Sequence, residues 1–184
     1  MSTKFEILTK NPSQTKKFGR ILAKELLKAP LKKKKTPRYN SGEALIIGLE
    51  GDLGGGKTTF LQGFAKGLGI KEKILSPTFV IMKRFKIRKN SCPNSCKFAS
   101  FYHIDCYRIQ KSKEILNLGF KEIISNPKNI VAIEWADRIK KIIPKKSIIL
   151  KFKFINQTTR EIKLSFPQGL GDHFHQSSLY NRFS

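Results

Sequence analysis

Apolar residues recur along the chain in two patterns, short runs that predict strands and longer three-to-four spacings that predict helices. A weak alternation at residues 5–8 predicts a short edge strand. The helix predicted after it has Ser13 as its N-cap, and its apolar face is formed by Phe18, Ile21, Leu22, Leu26 and Leu27. A continuous apolar run at residues 44–49 then predicts a buried strand, and a second helix is predicted from Phe60, Leu61, Phe64 and Leu68.

The second half of the chain continues this alternation. Strands are predicted at residues 76–82, 101–106, 129–135, 148–155 and 161–166, the last two joined as a hairpin. Residues 112–124 predict one or two short helices broken at Gly119. Residues 83–100 are basic and contain Pro93, which predicts a mobile hairpin tip.

Alternating strand and helix signals predict an α/β fold with a mainly parallel sheet that is covered on both faces, with antiparallel strands at an edge. The length of 184 residues favours one domain, at residues 1–166. Basic insertions are expected near residues 30–42 and 88–99, and a polar tail is expected at residues 167–184.

A glycine-rich stretch, residues 51–59, follows the apolar run and opens the second predicted helix. Gly51, Gly56, Lys57 and Thr58 fit the pattern G-x-x-x-x-G-K-[ST]. Its glycines let backbone N–H groups converge on a phosphate chain at a helix N-terminus. Lys57 would reach the β and γ phosphates and the Thr58 hydroxyl would bind Mg²⁺, so a nucleotide site is predicted here.

Charge and hydropathy narrow the class of protein. No apolar run is long enough to span a bilayer, and residues 1–10 lack the apolar stretch of a signal peptide, so a soluble cytoplasmic protein is expected. The net charge of +24 invites RNA binding, yet most of the 37 basic residues are lysine rather than arginine. Direct RNA binding and a general lysine excess on solvated faces both stay open.

Three cysteines raise the question of a zinc site. Cys92 and Cys96 form a Cys-x-x-x-Cys loop, and His103 could add a ligand, but no second pair has zinc-ribbon spacing. Together with Cys106 they are interpreted as a reduced trio without metal.

Hydrolysis needs acids in addition to a phosphate loop. Glu134 ends a predicted buried strand, where an α/β sheet places it beside the loop. Asp105 ends another strand and would orient water or hold a metal-bound water. Its alternative role is to accept a structural hydrogen bond from Tyr107 or Arg108.

Three more residues have two interpretations each. His103 could act as a base, but a lone histidine inside a strand is more often a core residue with a partner. Trp135 could cover a nucleotide or a partner, or fill the core. Arg160 could meet phosphate or adenine, or remain solvated in the hairpin.

Four motifs occur together, namely GDLGGGKTTF (51–60), SPTF (76–79), HIDCYR (103–108) and IEW (133–135). In order and spacing they resemble the TsaE family, also called YjeE, over roughly residues 5–166. The resemblance implies a three-layer α/β/α P-loop NTPase domain. It also implies a small bacterial ATPase needed for threonylcarbamoyladenosine at position 37 of tRNAs that read codons beginning with adenine.

The resemblance further implies weak Mg²⁺-dependent ATP hydrolysis and assembly with the TsaB and TsaD proteins. The positions that match the family's nucleotide-binding residues are Thr15, Gly54, Gly55, Gly56, Lys57, Thr58, Thr59, Trp135 and Arg160. Lys57, Asp105 and Glu134 match the catalytic positions, and Thr58 and Glu134 match those that bind magnesium. Gly55 stands where the family usually has alanine, and Lys83 where an acid commonly follows the SPTF strand.

The resulting expectation is an ATPase that resets a tRNA-modifying complex, with tRNA reached through that complex. A small-molecule kinase on the same scaffold is the main alternative, but residues 83–100 supply only Arg84 and Arg88 for a lid. A GTP switch would need an Asn-Lys-x-Asp motif, which Asn126-Pro127-Lys128-Asn129 does not supply. A basic RNA-binding module that retains a nucleotide stays open because of the charge.

Overall fold

The computed structural model describes residues 3–28, 42–75, 81–87, 98–167 and 170. The strands in these ranges are β1 (Thr3–Thr9), β2 (Leu45–Gly51), β3 (Met82–Lys86), β4 (Ser100–Asp105), β5 (Asn129–Glu134), β6 (Ile148–Phe154) and β7 (Arg160–Phe166). The helices are α1 (Pro12–Lys28), α2 (Lys57–Gly67), α3 (Ser112–Leu116) and α4 (Phe120–Ile124). A 3₁₀ segment, Ala136–Ile142, follows β5.

The seven strands form one sheet in the order β1-β7-β6-β2-β5-β4-β3. The four central strands, β6, β2, β5 and β4, are parallel to their neighbours in this group. Antiparallel strands flank them at both edges, with β3 beside β4 and the pair β7 and β1 beside β6. The predicted mainly parallel centre with antiparallel edge strands is confirmed.

Apolar side chains project from both faces of the sheet and pack against helices, which gives three layers. Under α1 and α2, the largest buried side chains are aromatic: Phe18, Phe60, Phe64, Phe101 and Phe152. On the opposite face, α3, α4 and the 3₁₀ segment cover a second cluster that includes Ile46, Ile104, Val131, Ile133 and Phe120. The α/β/α arrangement is therefore confirmed.

Glycines bring α1 and α2 into close contact. A Cβ at Gly63 would lie 2.0 Å from the carbonyl oxygen of Lys16, and one at Gly19 would lie 2.3 Å from that of Phe60. Because neither contact leaves room for a side chain, the backbones of the two helices touch directly. This contact fixes the N-terminal half of α1 beside the first turns of α2.

The cap of α1 differs from the sequence prediction, which was Ser13. The helix begins at Pro12, and the side chain of Asn11 accepts a hydrogen bond from the backbone N–H of Gln14 at 2.9 Å. Pro12 suits the first helical position because its missing N–H would have no partner there. Asn11 is therefore the N-cap, and Ser13 lies inside the first turn.

The strand predicted at 76–82 is also different, since the described strand is Met82–Lys86 and residues 76–80 lie outside the described ranges. The prediction that residues 83–100 form a hairpin tip is wrong at its start. Phe85 is buried, whereas Lys83, Arg84 and Lys86 are exposed on an edge strand, where charged side chains are tolerated. Basic composition concealed this strand, and the 3₁₀ segment after β5 was not predicted.

Short-range signals were more reliable elsewhere. Gly119, at φ +76°, separates α3 from α4 as predicted, and Gly69, at φ +77°, follows the end of α2. The predicted insertions and tail lie largely outside the described residues and stay predictions. No helix among the described residues has both the length and the apolar character needed to cross a membrane.

Candidate nucleotide site

The candidate site lies at the carboxyl ends of the parallel strands, where β2 turns into α2 through residues 51–56. Gly51, Gly54 and Gly56 have φ values of +111°, +71° and +97°, a conformation that residues with a Cβ rarely adopt. A Cβ at Gly51 would also lie 1.9 Å from the carbonyl oxygen of Phe152. The sequence can form this loop because glycines occupy its strained positions.

Gly55 and Thr59 complete the loop and the first turn of α2. Gly55 is buried, and a Cβ there would lie 2.8 Å from the carbonyl oxygen of Asp52. Thr59 is half-buried in the first helical turn. The N–H of Phe60 donates to the carbonyl of Gly56 at 2.9 Å, so the helix starts directly at the loop and directs its free N-terminal N–H groups there.

Lys57 is enclosed by the loop that precedes it. Its Nζ donates to the carbonyl oxygens of Gly51 at 2.8 Å and Asp52 at 2.7 Å. It also lies 3.8 Å from the centroid of the Trp135 ring. Burial lowers the pKa of Lys57, and the carboxylate of Glu134 is the strongest of the charges that oppose this shift. The ammonium group is thus held at the mouth of the loop by oxygen atoms.

Glu134 joins three elements at the end of β5. Its side chain is buried, and the Thr58 hydroxyl donates to it, 2.8 Å from Oε2 and 3.0 Å from Oε1. On the other side, Nε2 of His103 lies 2.9 Å from Oε1. Since a carboxylate can only accept, that nitrogen carries the donated hydrogen. Glu134 is therefore a buried acid whose oxygens are held by the phosphate loop and by β4.

Asp105 lies beside Glu134 because the two residues are paired in the register of β4 and β5. Its Oδ1 accepts the backbone N–H of Tyr107 at 2.9 Å, which matches part of the structural role weighed from sequence. The strand also places His103 and Asp105 on the same face, two residues apart. Both acids of the candidate site thus lie side by side at the carboxyl ends of neighbouring parallel strands.

Trp135 is the one non-glycine residue with positive φ among the described residues, at φ +58° and ψ +44°. Such a conformation is costly for a residue with a Cβ and is concentrated at functional sites. The ring contacts Lys57 on one side, and its centroid is 5.1 Å from that of Tyr107, whose side chain is half-exposed. The guanidinium of Arg138 lies over both rings, at 5.7 Å and 5.4 Å.

Thr15 and Arg160 flank the loop from two distant parts of the chain. A Cβ at Gly56 would lie 3.6 Å from Cγ of Arg160 and 3.7 Å from Cγ2 of Thr15. Arg160 Nε donates to the carbonyl of Gly54 at 2.8 Å, and the Thr15 and Thr9 hydroxyls are 2.8 Å apart. Arg160, which was ambiguous in the sequence, is therefore in direct contact with the phosphate loop.

Among the three cysteines, the described ranges contain only Cys106. Cys92 and Cys96 lie outside the described residues, and Cys106 is a buried free thiol. Burial raises the pKa of Cys106 to about 12, which keeps the thiol protonated at neutral pH. The part of the chain that the structure describes contains no group of three or more His, Cys, Asp and Glu side chains arranged to hold a metal.

The structure brings all of the predicted site residues to one edge of the sheet or to the loop. Sequence reasoning missed the partner of His103, which it interpreted as a core residue. It is buried as expected, but its partner is the acid Glu134. The spacing of His103 and Asp105 was the available signal, because residues two apart in a strand share a face. Tyr107 and Arg138 were not considered beside Trp135.

Comparisons with known proteins all point to one family. Residues 9–162 match the sequence model of the family described as "Threonylcarbamoyl adenosine biosynthesis protein TsaE". The tRNA threonylcarbamoyladenosine biosynthesis protein TsaE of Bacillus subtilis is 36% identical over 117 residues, which are 64% of this chain and 66% of that protein. The protein of the same name in Rickettsia felis is 29% identical over 179 residues, 95% of this chain and 90% of that protein.

A solved structure has a similar fold. The crystal structure of YdiB from Bacillus subtilis superposes with a TM-score of 0.61 at 25% identity. The superposition covers 100% of this chain and 95% of that one. The two chains therefore share one fold over nearly their whole length.

The buried contact between His103 and Glu134 makes a prediction about stability. Replacing His103 by Leu leaves the buried carboxylate with one partner fewer, which should lower the free energy of unfolding by about 1–3 kcal/mol. Urea unfolding followed by circular dichroism measures the change.

The control is the same substitution in a Glu134→Gln background. There the loss should be smaller, because no charged group is left without its donor. An equal cost of His103→Leu in both backgrounds would contradict a stabilising contact between the two side chains.

Proposed function

The chain belongs to the TsaE family of threonylcarbamoyladenosine biosynthesis proteins, and on that premise we propose that it is a Mg²⁺-dependent P-loop ATPase serving this tRNA modification. The proposed modification is threonylcarbamoyladenosine at position 37 of tRNAs that read codons beginning with adenine. The observation that supports the proposal best is the contact between Thr58 of the phosphate loop and Glu134 of β5.

The donor set at this contact fits magnesium. A hydroxyl and a carboxylate are 2.8–3.0 Å apart, and hard oxygen ligands of this kind suit Mg²⁺. Thr58 and Glu134 would hold the ion. When bound, Mg²⁺ neutralises charge on the β and γ phosphates.

The remaining residues have separate tasks in the proposed site. Lys57 would exchange the carbonyl oxygens of Gly51 and Asp52 for phosphate oxygens, which carry more charge and bind the ammonium group more strongly. Backbone N–H groups of residues 54–59 would surround the phosphates. Asp105 would orient the attacking water, since it stands beside Glu134 in the sheet register.

Thr15, Trp135 and Arg160 would bind the nucleotide at the sides of the loop. Thr15 and Arg160 approach Gly56 from opposite parts of the chain, so both can reach a molecule lying on the loop. Trp135 contacts the ammonium group of Lys57 and is positioned to respond when that group moves to a phosphate.

This response supplies a physical basis for a switch. The ring of Trp135 contacts Lys57 inside and Tyr107 at the surface, so the state of the loop is linked to an exposed side chain. In the proposed cycle, TsaB and TsaD bind the ATP and ADP forms with different affinity. Hydrolysis then resets the complex for another tRNA, because a ligand shifts an equilibrium only by its differential affinity.

The two acids give the first test of this function. Glu134→Ala and Asp105→Ala should each lower ATP hydrolysis by about 10²-fold or more, while much of the nucleotide affinity measured without Mg²⁺ is retained. Phosphate release gives the rate, and fluorescent-nucleotide binding gives the affinity. Glu122→Ala, which removes an exposed acid from α4, is the matched control and should hydrolyse ATP at the wild-type rate. Wild-type turnover in both acid variants would refute their roles.

The second test concerns the purpose of hydrolysis. Threonylcarbamoyl transfer to tRNA is reconstituted with TsaB and TsaD, and with the wild-type chain, Glu134→Ala or no added chain. Multiple turnovers are expected only with the wild type, because the variant cannot leave the ATP state. Repeated modification without this chain, or full cycling with Glu134→Ala, would reject the reset and favour the phosphotransferase alternative.

A further inference from the structure

The two helical layers of the protein differ in charge. The exposed charged side chains of α1 and α2 are all basic, and we call them the α1–α2 face: Lys16, Lys17, Arg20, Lys24, Lys28 and Lys66. The one acid in these two helices, Glu25, is buried and pairs with Lys28 at 3.3 Å. The α1–α2 face therefore exposes positive charge without an exposed carboxylate.

The opposite helical layer is mixed. Its exposed lysines alternate with Glu114, Glu122 and Asp137, all of which are exposed. A general lysine excess would add positive charge to both layers, but it does not explain why the exposed acids of the helices all lie in one of them. This segregation distinguishes the α1–α2 face from a uniformly solvated basic surface.

The part of the sheet that no helix covers also carries both positive and negative side chains. On β7, Lys163 lies 3.6 Å from Glu6 and 3.3 Å from Glu161. Lys151 on β6 lies 3.5 Å from Glu50. Lys151 and Lys163 on this surface have acidic partners, whereas Lys16, Arg20 and Lys24 make no ion pair with another described residue.

The basic side chains of α1 form a row. Residues 16, 20, 24 and 28 are four apart, so they lie along one side of the helix over about 18 Å. Double-stranded DNA carries about one charge per 1.7 Å of its axis when both strands are counted, so a duplex segment as long as this row carries about ten phosphates, about five on each strand. An extended row suits a polymeric anion better than a single small ion.

We propose that the α1–α2 face binds the phosphate backbone of RNA. This inference goes beyond the proposed function, in which tRNA is reached through partner proteins. Lysine supplies point charges without the planar fork of arginine, so the contact should depend on charge and not on sequence. RNA is favoured over other polyanions because the family is named for a modification of tRNA.

The α1–α2 face lies close to the candidate nucleotide site. Thr15 near the start of α1 adjoins Gly56 of the phosphate loop, and α2 begins at that loop. RNA bound along α1 would therefore lie next to the nucleotide site. The chain could thereby contact the RNA and the nucleotide at once.

The test compares two triple variants with the same loss of charge. Lys16→Gln/Arg20→Gln/Lys24→Gln alters the α1–α2 face, and Lys113→Gln/Lys121→Gln/Lys140→Gln alters exposed lysines of the opposite layer. Fluorescence anisotropy with labelled tRNA, without ATP, gives the Kd between 50 and 200 mM salt. Thermal unfolding verifies that both triple variants are folded. The variant Lys16→Arg/Lys24→Arg keeps the positive charge and tests whether charge alone is sufficient for binding.

The face variant should bind tRNA at least about 10-fold more weakly, and its salt dependence should fall by about two to three in the slope of log K against log salt. The control triple and the arginine variant should bind within about twofold of the wild type. Equal losses in both triples would show diffuse charge and overturn the proposal, as would an absence of tRNA binding by the wild type. Tighter, face-dependent binding to vesicles containing anionic phospholipid would assign the face to a membrane instead. Because ATP is omitted, failure of the ATPase proposal would not affect this result.

Discussion

A carboxylate removed from water needs hydrogen-bond donors, and the hydrogen bonds of Glu134 link three elements of the fold. The acid ends β5, the Thr58 hydroxyl comes from the first turn of α2, and the His103 imidazole comes from β4. If any of these elements shifted, a buried charge would lose a partner. The position of the phosphate loop relative to the sheet is thus tied to the satisfaction of one side chain.

The sheet and the helices supply the donors by different means. Parallel pairing of β4 and β5 aligns Asp105 with Glu134 and brings His103 within reach of the acid. Close contact of α1 and α2 through Gly19 and Gly63 fixes the other side of the site. The glycines thus contribute twice, in the loop by positive φ and in the helices by the absence of a side chain.

Local signals predicted much of this arrangement. The spacing of Gly51, Gly56, Lys57 and Thr58 fits the phosphate-loop pattern, and Glu134 at the end of an apolar run could be placed beside it by the rules of α/β sheets. What the sequence did not reveal depends on distant neighbours. Whether a buried histidine contacts an acid is decided across strands and cannot be derived from its own position.

Backbone geometry accounts for the other features that the sequence did not predict. The positive φ of Trp135 is imposed by the turn from β5 into the 3₁₀ segment, and no local residue preference predicts it. β3 was hidden because its exposed face is basic, and only the edge position in the sheet explains why such a strand is stable. The N-cap is Asn11 and not the predicted Ser13, because Pro12 fixes where the helix can begin.

The proposed function requires Thr58 and Glu134 to bind one magnesium ion beside the nucleotide. The most direct measurement is the ratio of the ATP dissociation constants without and with Mg²⁺, obtained by calorimetry for the wild type, Thr58→Val, Glu134→Gln and the double variant. Each single substitution should lower this ratio by about 10-fold or more, and the double variant should lose little beyond the larger single loss, because both side chains hold the same ion. A wild-type ratio in both single variants, or losses that multiply as if independent, would contradict a shared magnesium site.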